Sequence, residues 1–212
     1  MSISTIDKGL AESLKKEFKI EDLSLCLLKV GVLKEGEVLQ SYHDISAWQR
    51  GGAETYNAVA TITVKEHERK FIAKALVSMA TKPEQQLANW SSRRTIIQQL
   101  GIKTPKLFAE LNGVIYEEFI DNNFSLDSNL QKTILEQLAF IAAQLDRKGF
   151  TTLSFINDIR LKDTTLYYVD FGSDLGEPSQ SKKDSAIKLL ISKLTNEQLS
   201  VVRPIYDNIL SE

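Results

Sequence analysis

Apolar residues recur every three or four positions over 130–148. Ile134, Leu138, Ile141, Ala142 and Leu145 share one face, and Gly149 follows as a stop signal. This pattern predicts an amphipathic helix. A second helix is expected over 84–100, after Pro83, with Leu87, Trp90, Arg94, Ile97 and Leu100 along one stripe and Gly101 as its C-cap. Upstream the period changes to two. Tyr56, Ala58, Ala60, Ile62 and Val64 fall on one side of a strand, and Phe71, Ala73 and Ala75 alternate with Ile72, Lys74 and Leu76 in the next. A strand over 45–50 precedes them. Gly51-Gly52-Ala53-Glu54-Thr55 and the charged run 65–69 then serve as turns of an antiparallel meander.

The remaining segments are shorter. Ser4 as cap and Asp7 three positions on open a helix whose face carries Leu10, Leu14 and Phe18. The apolar stretch 23–32 and the stretch 38–42 read as strands around Lys34-Glu35-Gly36-Glu37. The stretches 105–108 and 113–120 read as strands around Asn112-Gly113. A strand over 158–161, a turn at 162–164 and the apolar strand Leu166-Tyr167-Tyr168-Val169 lead into Asp170-Phe171-Gly172. Two helices, 184–194 and 196–210, close the chain. The expected class is α+β, with an N-terminal extension over 1–44, a small sheet-bearing lobe over 45–120 and a short helical lobe over 121–212.

Composition narrows the function classes. A length of 212 residues suffices for one full core or two small lobes. A net charge of −2 gives no global attraction to nucleic acid or to an anionic membrane. One cysteine, Cys26, leaves no internal disulfide framework and fits a reducing compartment. No apolar run approaches the roughly 20 residues that span a bilayer. Residues 1–19 carry charges throughout without the apolar block of a signal peptide, so the expected location is the cytoplasm. His43 and His67 are isolated from any ligand-like cluster.

Three strands, a helix, two strands, a long helix and a hairpin ending in Asp-Phe-Gly resemble the two-lobed protein-kinase-like fold. The resemblance is to its small aminoglycoside-phosphotransferase or RIO-like form, over roughly 45–172. It implies an antiparallel N-lobe sheet, a short helical C-lobe, and ATP and Mg2+ held in a cleft between the lobes. Gly51 and Gly52 stand where the family covers the nucleotide phosphates, since backbone N–H groups approach phosphate only where bulky side chains are absent. Lys74, in Phe71-Ile72-Ala73-Lys74, is similar to the family's phosphate-clamping lysine. The lysine's glutamate partner would come from the helix, where Glu84 lies early and Arg93 and Arg94 occupy later positions. Arg93 and Arg94 read either as exposed helix charges or as an anion site. Glu118 lies in the segment whose backbone would meet an adenine edge. Asp170 and Asn157, thirteen positions apart, match the two metal-holding positions, and Leu153-Ser154-Phe155-Ile156-Asn157 is similar to the RIO-type catalytic loop.

One position departs from the family. Its catalytic aspartate falls on Thr152, which cannot act as a carboxylate base. Asp158 is the alternative carboxylate, either in a second register with Asp163 as a metal ligand or reaching the site from its place after Asn157. The resemblance therefore implies an ATP- and Mg2+-binding protein. It is either an atypical phosphotransferase acting on a hydroxyl of a small molecule or dedicated partner, or a pseudokinase used as a binding or regulatory module.

Overall fold

A computed structural model describes residues 28, 31, 33–37, 41–43, 49–50, 55–64, 67–76, 83–111, 114–121, 124–127, 130–172, 175–176 and 184–212. The helix expected over 4–19 and the glycines Gly51 and Gly52 lie outside the described residues. The chain divides into two compact units, Met1–Ala88 with Lys106–Phe119, and Asn89–Pro105 with Ile120–Glu212. Antiparallel sheet dominates the first and helix the second, which makes the chain α+β. No helix among the described residues is long and apolar enough to cross a membrane.

The first unit contains β1 (Ser41–His43), β2 (Gln49–Arg50), β3 (Thr55–Val64), β4 (His67–Leu76), β5 (Leu107–Leu111) and β6 (Val114–Glu118). Among these, the sheet order is β1-β3-β4-β6-β5, with β2 also pairing β3. Every pairing is antiparallel. The hairpin β3–β4 runs in unbroken register from Thr55 opposite Leu76 to Val64 opposite His67. Its alternating β-branched and apolar residues suit a pleated surface with one face buried. On one face, Ala73 sits directly opposite Tyr116, so a small residue makes room for a large one. Phe71 packs its ring 6.3 Å from that of Tyr116. Phe71, Ala73 and Tyr116 are all buried, and each large side chain so buried stabilises the unit by about 1.5–3 kcal/mol relative to exposure.

Upstream, the expected turn at Lys34–Glu37 is present. The Glu37 amide donates to the Lys34 carbonyl at 3.0 Å, and Gly36 takes a φ of 81° that a side chain would resist. The strand pattern expected before it does not hold at Leu28, which is helical. Of the second expected strand, 38–42, the described residues begin at Ser41, which is strand and pairs with Thr63. Glu37 is tied to the sheet by Arg69, whose Nη1 and Nη2 reach its two carboxylate oxygens at 3.0 and 2.8 Å.

The division between units falls within α1 (Pro83–Gln99). The second unit is built on α2 (Lys132–Arg147), whose buried Ile134, Leu135, Leu138, Ile141, Ala142 and Leu145 follow the predicted face. A 3₁₀ turn (Phe155–Asp158) leads into the hairpin of β7 (Ile159–Lys162) and β8 (Thr165–Tyr168). The strand expected from 158 thus starts one residue later. The last helices are α3 (Ala186–Ile191) and α4 (Asn196–Ser211). Thr195 and Gln198 form a capping box at the start of α4. Asp146 near the end of α2 accepts from the amides of Ala186 and Ile187 at 2.7 and 3.1 Å and from the Tyr206 hydroxyl at 2.9 Å. One carboxylate thereby joins α2, the start of α3 and α4.

Candidate functional site

In the first unit, Lys74 occupies the middle of β4, opposite Asn57 on β3 and Ile115 on β6. Glu117 follows Ile115 by two positions, so the pleat returns it to the face that carries Lys74. The Lys74 ammonium forms an ion pair with Glu117 Oε1, and the two side chains are 12% and 1% exposed. A buried pair of this kind holds only where the attraction offsets the desolvation of both charges. Two neighbouring acceptors, Glu117 Oε2 and Asn57 Oδ1, are buried without a hydrogen-bond partner. Lys74 thus has an acidic partner on the adjacent strand, and the side chain of Glu84, the helix residue considered for that role, lies outside those described. The signal in the sequence was a glutamate directly after the apolar run Val114-Ile115-Tyr116. What hid it was the pairing of β4 with β6, which is non-local. Glu118 donates its amide to the Lys106 carbonyl at 2.8 Å, and its carboxylate accepts from the Lys106 amide at 3.3 Å.

In the second unit, the β7–β8 register pairs Ile159 with Tyr168, and the Val169 amide continues the ladder to the Asp158 carbonyl at 2.9 Å. Asn157 and Asp170 flank this last bond in the chain, Asn157 before Asp158 and Asp170 after Val169. Asn157 is exposed and Asp170 half-buried. The 3₁₀ turn is closed by the Asn157 amide donating to the Ser154 carbonyl at 3.0 Å. Asp170 Oδ1 accepts from the Gly172 amide at 2.9 Å, so the carboxylate shapes the turn that follows it.

That turn is also gripped by α1. Arg93 Nη1 donates to the carbonyls of Gly172 and Phe171 at 2.7 and 3.4 Å. The buried Phe171 ring receives Trp90 edge-on at 5.3 Å, with Tyr168 at 5.9 Å. Arg94 lies buried over the Trp90 ring and donates to the Pro105 carbonyl. Among the alternatives the sequence left open, both arginines bind backbone carbonyls, and Arg94 is not an exposed charge.

A buried polar cluster centres on Asp158, the residue after Asn157. Asp158 Oδ2 accepts from the hydroxyls of Thr152 at 2.9 Å and Tyr168 at 3.2 Å. The three residues are 5%, 1% and 0% exposed, respectively. Burial pushes the Tyr168 phenol well above its ordinary range, and the charges of Asp158 and Asp170 push it further. Burial lowers the Arg160 guanidinium from its usual value, against the opposing pull of Asp158 and Asp170. Arg160 Nη1 donates to the carbonyls of Asn157 and Ile159 at 2.7 and 2.9 Å. Of the predicted residues in this unit, Asn157 and Asp170 flank the last bond of the hairpin, and Asp158 is buried with Thr152 and Tyr168.

The chemistry of the donors suits a hard divalent cation. A carboxylate and an amide oxygen at a solvent-facing hairpin end match the habit of Mg2+, which keeps several waters and takes few protein ligands. No group of three or more His, Cys, Asp or Glu side chains placed to hold a metal occurs among the described residues. Such a cation would therefore complete its shell from water or from a bound anion.

No protein-family profile matches the chain, and no curated protein matches it in sequence. Among solved structures it is similar to the choline kinase LicA of Streptococcus pneumoniae, with 12% identity, a TM-score of 0.44, and coverage of 90% of this chain and 89% of that one. It is also similar to APH(2")-IIa, solved as a ternary complex with streptomycin and ATP, with 10% identity, a TM-score of 0.44 and coverage of 89% and 86%. Likeness of this degree carries no functional weight, and the residues of each unit stand on their own.

Proposed function

We propose that the chain is a kinase-like protein that binds ATP with Mg2+ and moves the γ-phosphoryl group to a hydroxyl of a small molecule or of one dedicated partner. The observation that carries this reading is the bond from the Val169 amide to the Asp158 carbonyl, which closes the β7–β8 hairpin between the residues next to Asn157 and Asp170. Two hard oxygen donors on opposed chain segments suit a cation whose remaining ligands are phosphate oxygens. When bound, the cation would neutralise charge developing on the phosphates. Asp170 is oriented by its bond to the Gly172 amide. In the first unit, Lys74 is paired with Glu117. The order of elements there, with α1 following β4 and preceding β5 and β6, supports the same reading.

A second reading rests on one specific observation. Thr152, five positions before Asn157, donates its hydroxyl to Asp158, and both are buried. No carboxylate stands at the position from which a base would act, which favours a nucleotide-holding module with weak or no transfer. The two separate in one experiment that follows ATP affinity and phosphate release in the wild-type chain and in Asp170→Ala. Release above the Asp170→Ala background supports the phosphotransferase. Binding without release supports the module. Absence of Mg2+-dependent ATP binding overturns both.

A further inference from the structure

We infer that Asp158 is the positioning residue that fixes Asn157 and Asp170 relative to each other, acting through Thr152 and Tyr168 and never touching substrate. The inference rests on the reading of Asn157 and Asp170 as the metal-holding pair.

Three chain segments converge on this one residue. Its carboxylate receives the Tyr168 hydroxyl from the end of β8, two residues before Asp170. Its carbonyl receives the Val169 amide, the last backbone bond before Asp170. The same carboxylate receives the Thr152 hydroxyl, and the Thr152 backbone is bridged to Asp184 by two bonds of 3.0 and 3.2 Å. Asn157 is the preceding residue on the 3₁₀ turn that Asp158 ends. A shift of the Asp158 side chain therefore moves both donors of the proposed pair, one through the turn and one through the strand.

Burial argues against the alternative role of Asp158 as a base. A base must reach the proton it takes, directly or through one water. Asp158 is 5% exposed, and the two hydroxyls on its Oδ2 are 1% and 0% exposed. Hydroxyl donors to a buried carboxylate lock rotamers on both sides of the bond, which is how an underlying layer holds ligating groups in place. Its energetic importance also follows from its surroundings, since a carboxylate buried without its donors carries the full cost of desolvation.

The test uses the full chain and measures ATP affinity by calorimetry, once with Mg2+ and once with EDTA. Tyr168→Phe and Thr152→Val each remove one hydroxyl and leave the Asp158 carboxylate intact. Both are expected to weaken binding several-fold in Mg2+ and to leave binding in EDTA unchanged. Thr152→Ser keeps the hydroxyl and should retain wild-type affinity in both conditions. Asp158→Asn should weaken Mg2+-dependent binding about tenfold, and if that variant does not fold the hydroxyl variants carry the test alone. Wild-type affinity in Mg2+ for both Tyr168→Phe and Thr152→Val overturns the inference. So does an equal loss with and without metal, which is the mark of a merely structural role. Asp170→Ala is measured alongside: if Mg2+ dependence survives that change, the metal reading itself has failed, and the inference falls with it for a separately identifiable reason.

Discussion

Arg93 donates to the carbonyl of Gly172 at 2.7 Å, so a helix that begins eighty-nine residues earlier holds the turn that presents Asp170. The guanidinium also reaches the Phe171 carbonyl, and Trp90 from the same helix packs against the Phe171 ring. The position of α1 and the orientation of Asp170 are thereby linked through one cation and one aromatic contact.

Removing that cation should be felt locally. A hydrogen bond involving a charged group contributes about 1.5–3 kcal/mol. Arg93→Met is expected to lose an amount near the lower end of that range, because the site is only part-buried. The loss is read from urea unfolding. The same variant should show a smaller stabilisation by ATP and Mg2+ than the wild type, beyond what its lower starting stability explains. An unchanged nucleotide response would show that the turn holds itself.

The Lys74–Glu117 pair gives a sharper energetic prediction. Glu117→Gln takes the Glu117 carboxylate away from a nearly buried ammonium, which costs about 3 kcal/mol. Replacing both partners together, as Lys74→Met with Glu117→Leu, removes both desolvation penalties and should recover most of that loss. Chemical denaturation of Lys74→Met, Glu117→Leu and the double variant measures the coupling. Additive losses in the double variant would mean that the two side chains do not depend on each other.

Asp146 predicts the pH dependence of the second unit. Burial raises its carboxyl above the usual range, against the lowering effect of the Ile187 amide, the Tyr206 hydroxyl and the Ala186 amide. The folded chain therefore binds a proton that the unfolded chain releases near pH 4. Stability from this group is fully present below that pH and declines as pH rises through the folded value. Asp146→Asn is expected to be less stable throughout, because its amide cannot accept on both sides, but it lacks this decline. The stability gap between wild type and Asp146→Asn should narrow as pH rises from about 4 toward neutrality. A gap that widens over that window contradicts the assignment.

How far these features could be read from the sequence depended on how local their causes are. Helix α2 was legible to within two residues because eight buried apolar side chains repeat at helical spacing along it. The β3–β4 hairpin was legible because two period-two runs flank a short charged turn. The buried stripe of α1 was anticipated even at Arg94, where a charged residue sits on an apolar face. The partner of Lys74 was not, because Glu117 reaches it only through a pairing between strands separated by α1 and β5. The 3₁₀ turn was missed because Asn157-Asp158 reads as the polar start of a strand. Its reason lies in the third dimension, where Thr152 and Tyr168 supply the donors that let Asp158 be buried. The spacing of Asn157 and Asp170 was visible as a number, and the β7–β8 hairpin with its short turn accounts for it.

The most direct measurement is the thermal unfolding of the full chain with ATP and Mg2+, together and separately, for the wild type and for Asp170→Ala. A ligand present at one hundred times its dissociation constant stabilises the folded state by about 2.7 kcal/mol. A clear upward shift is expected for the wild type with ATP and Mg2+ together, and for Asp170→Ala no more than ATP alone gives. A wild-type chain that ATP and Mg2+ leave unshifted, or a shift of equal size in Asp170→Ala, would contradict that expectation.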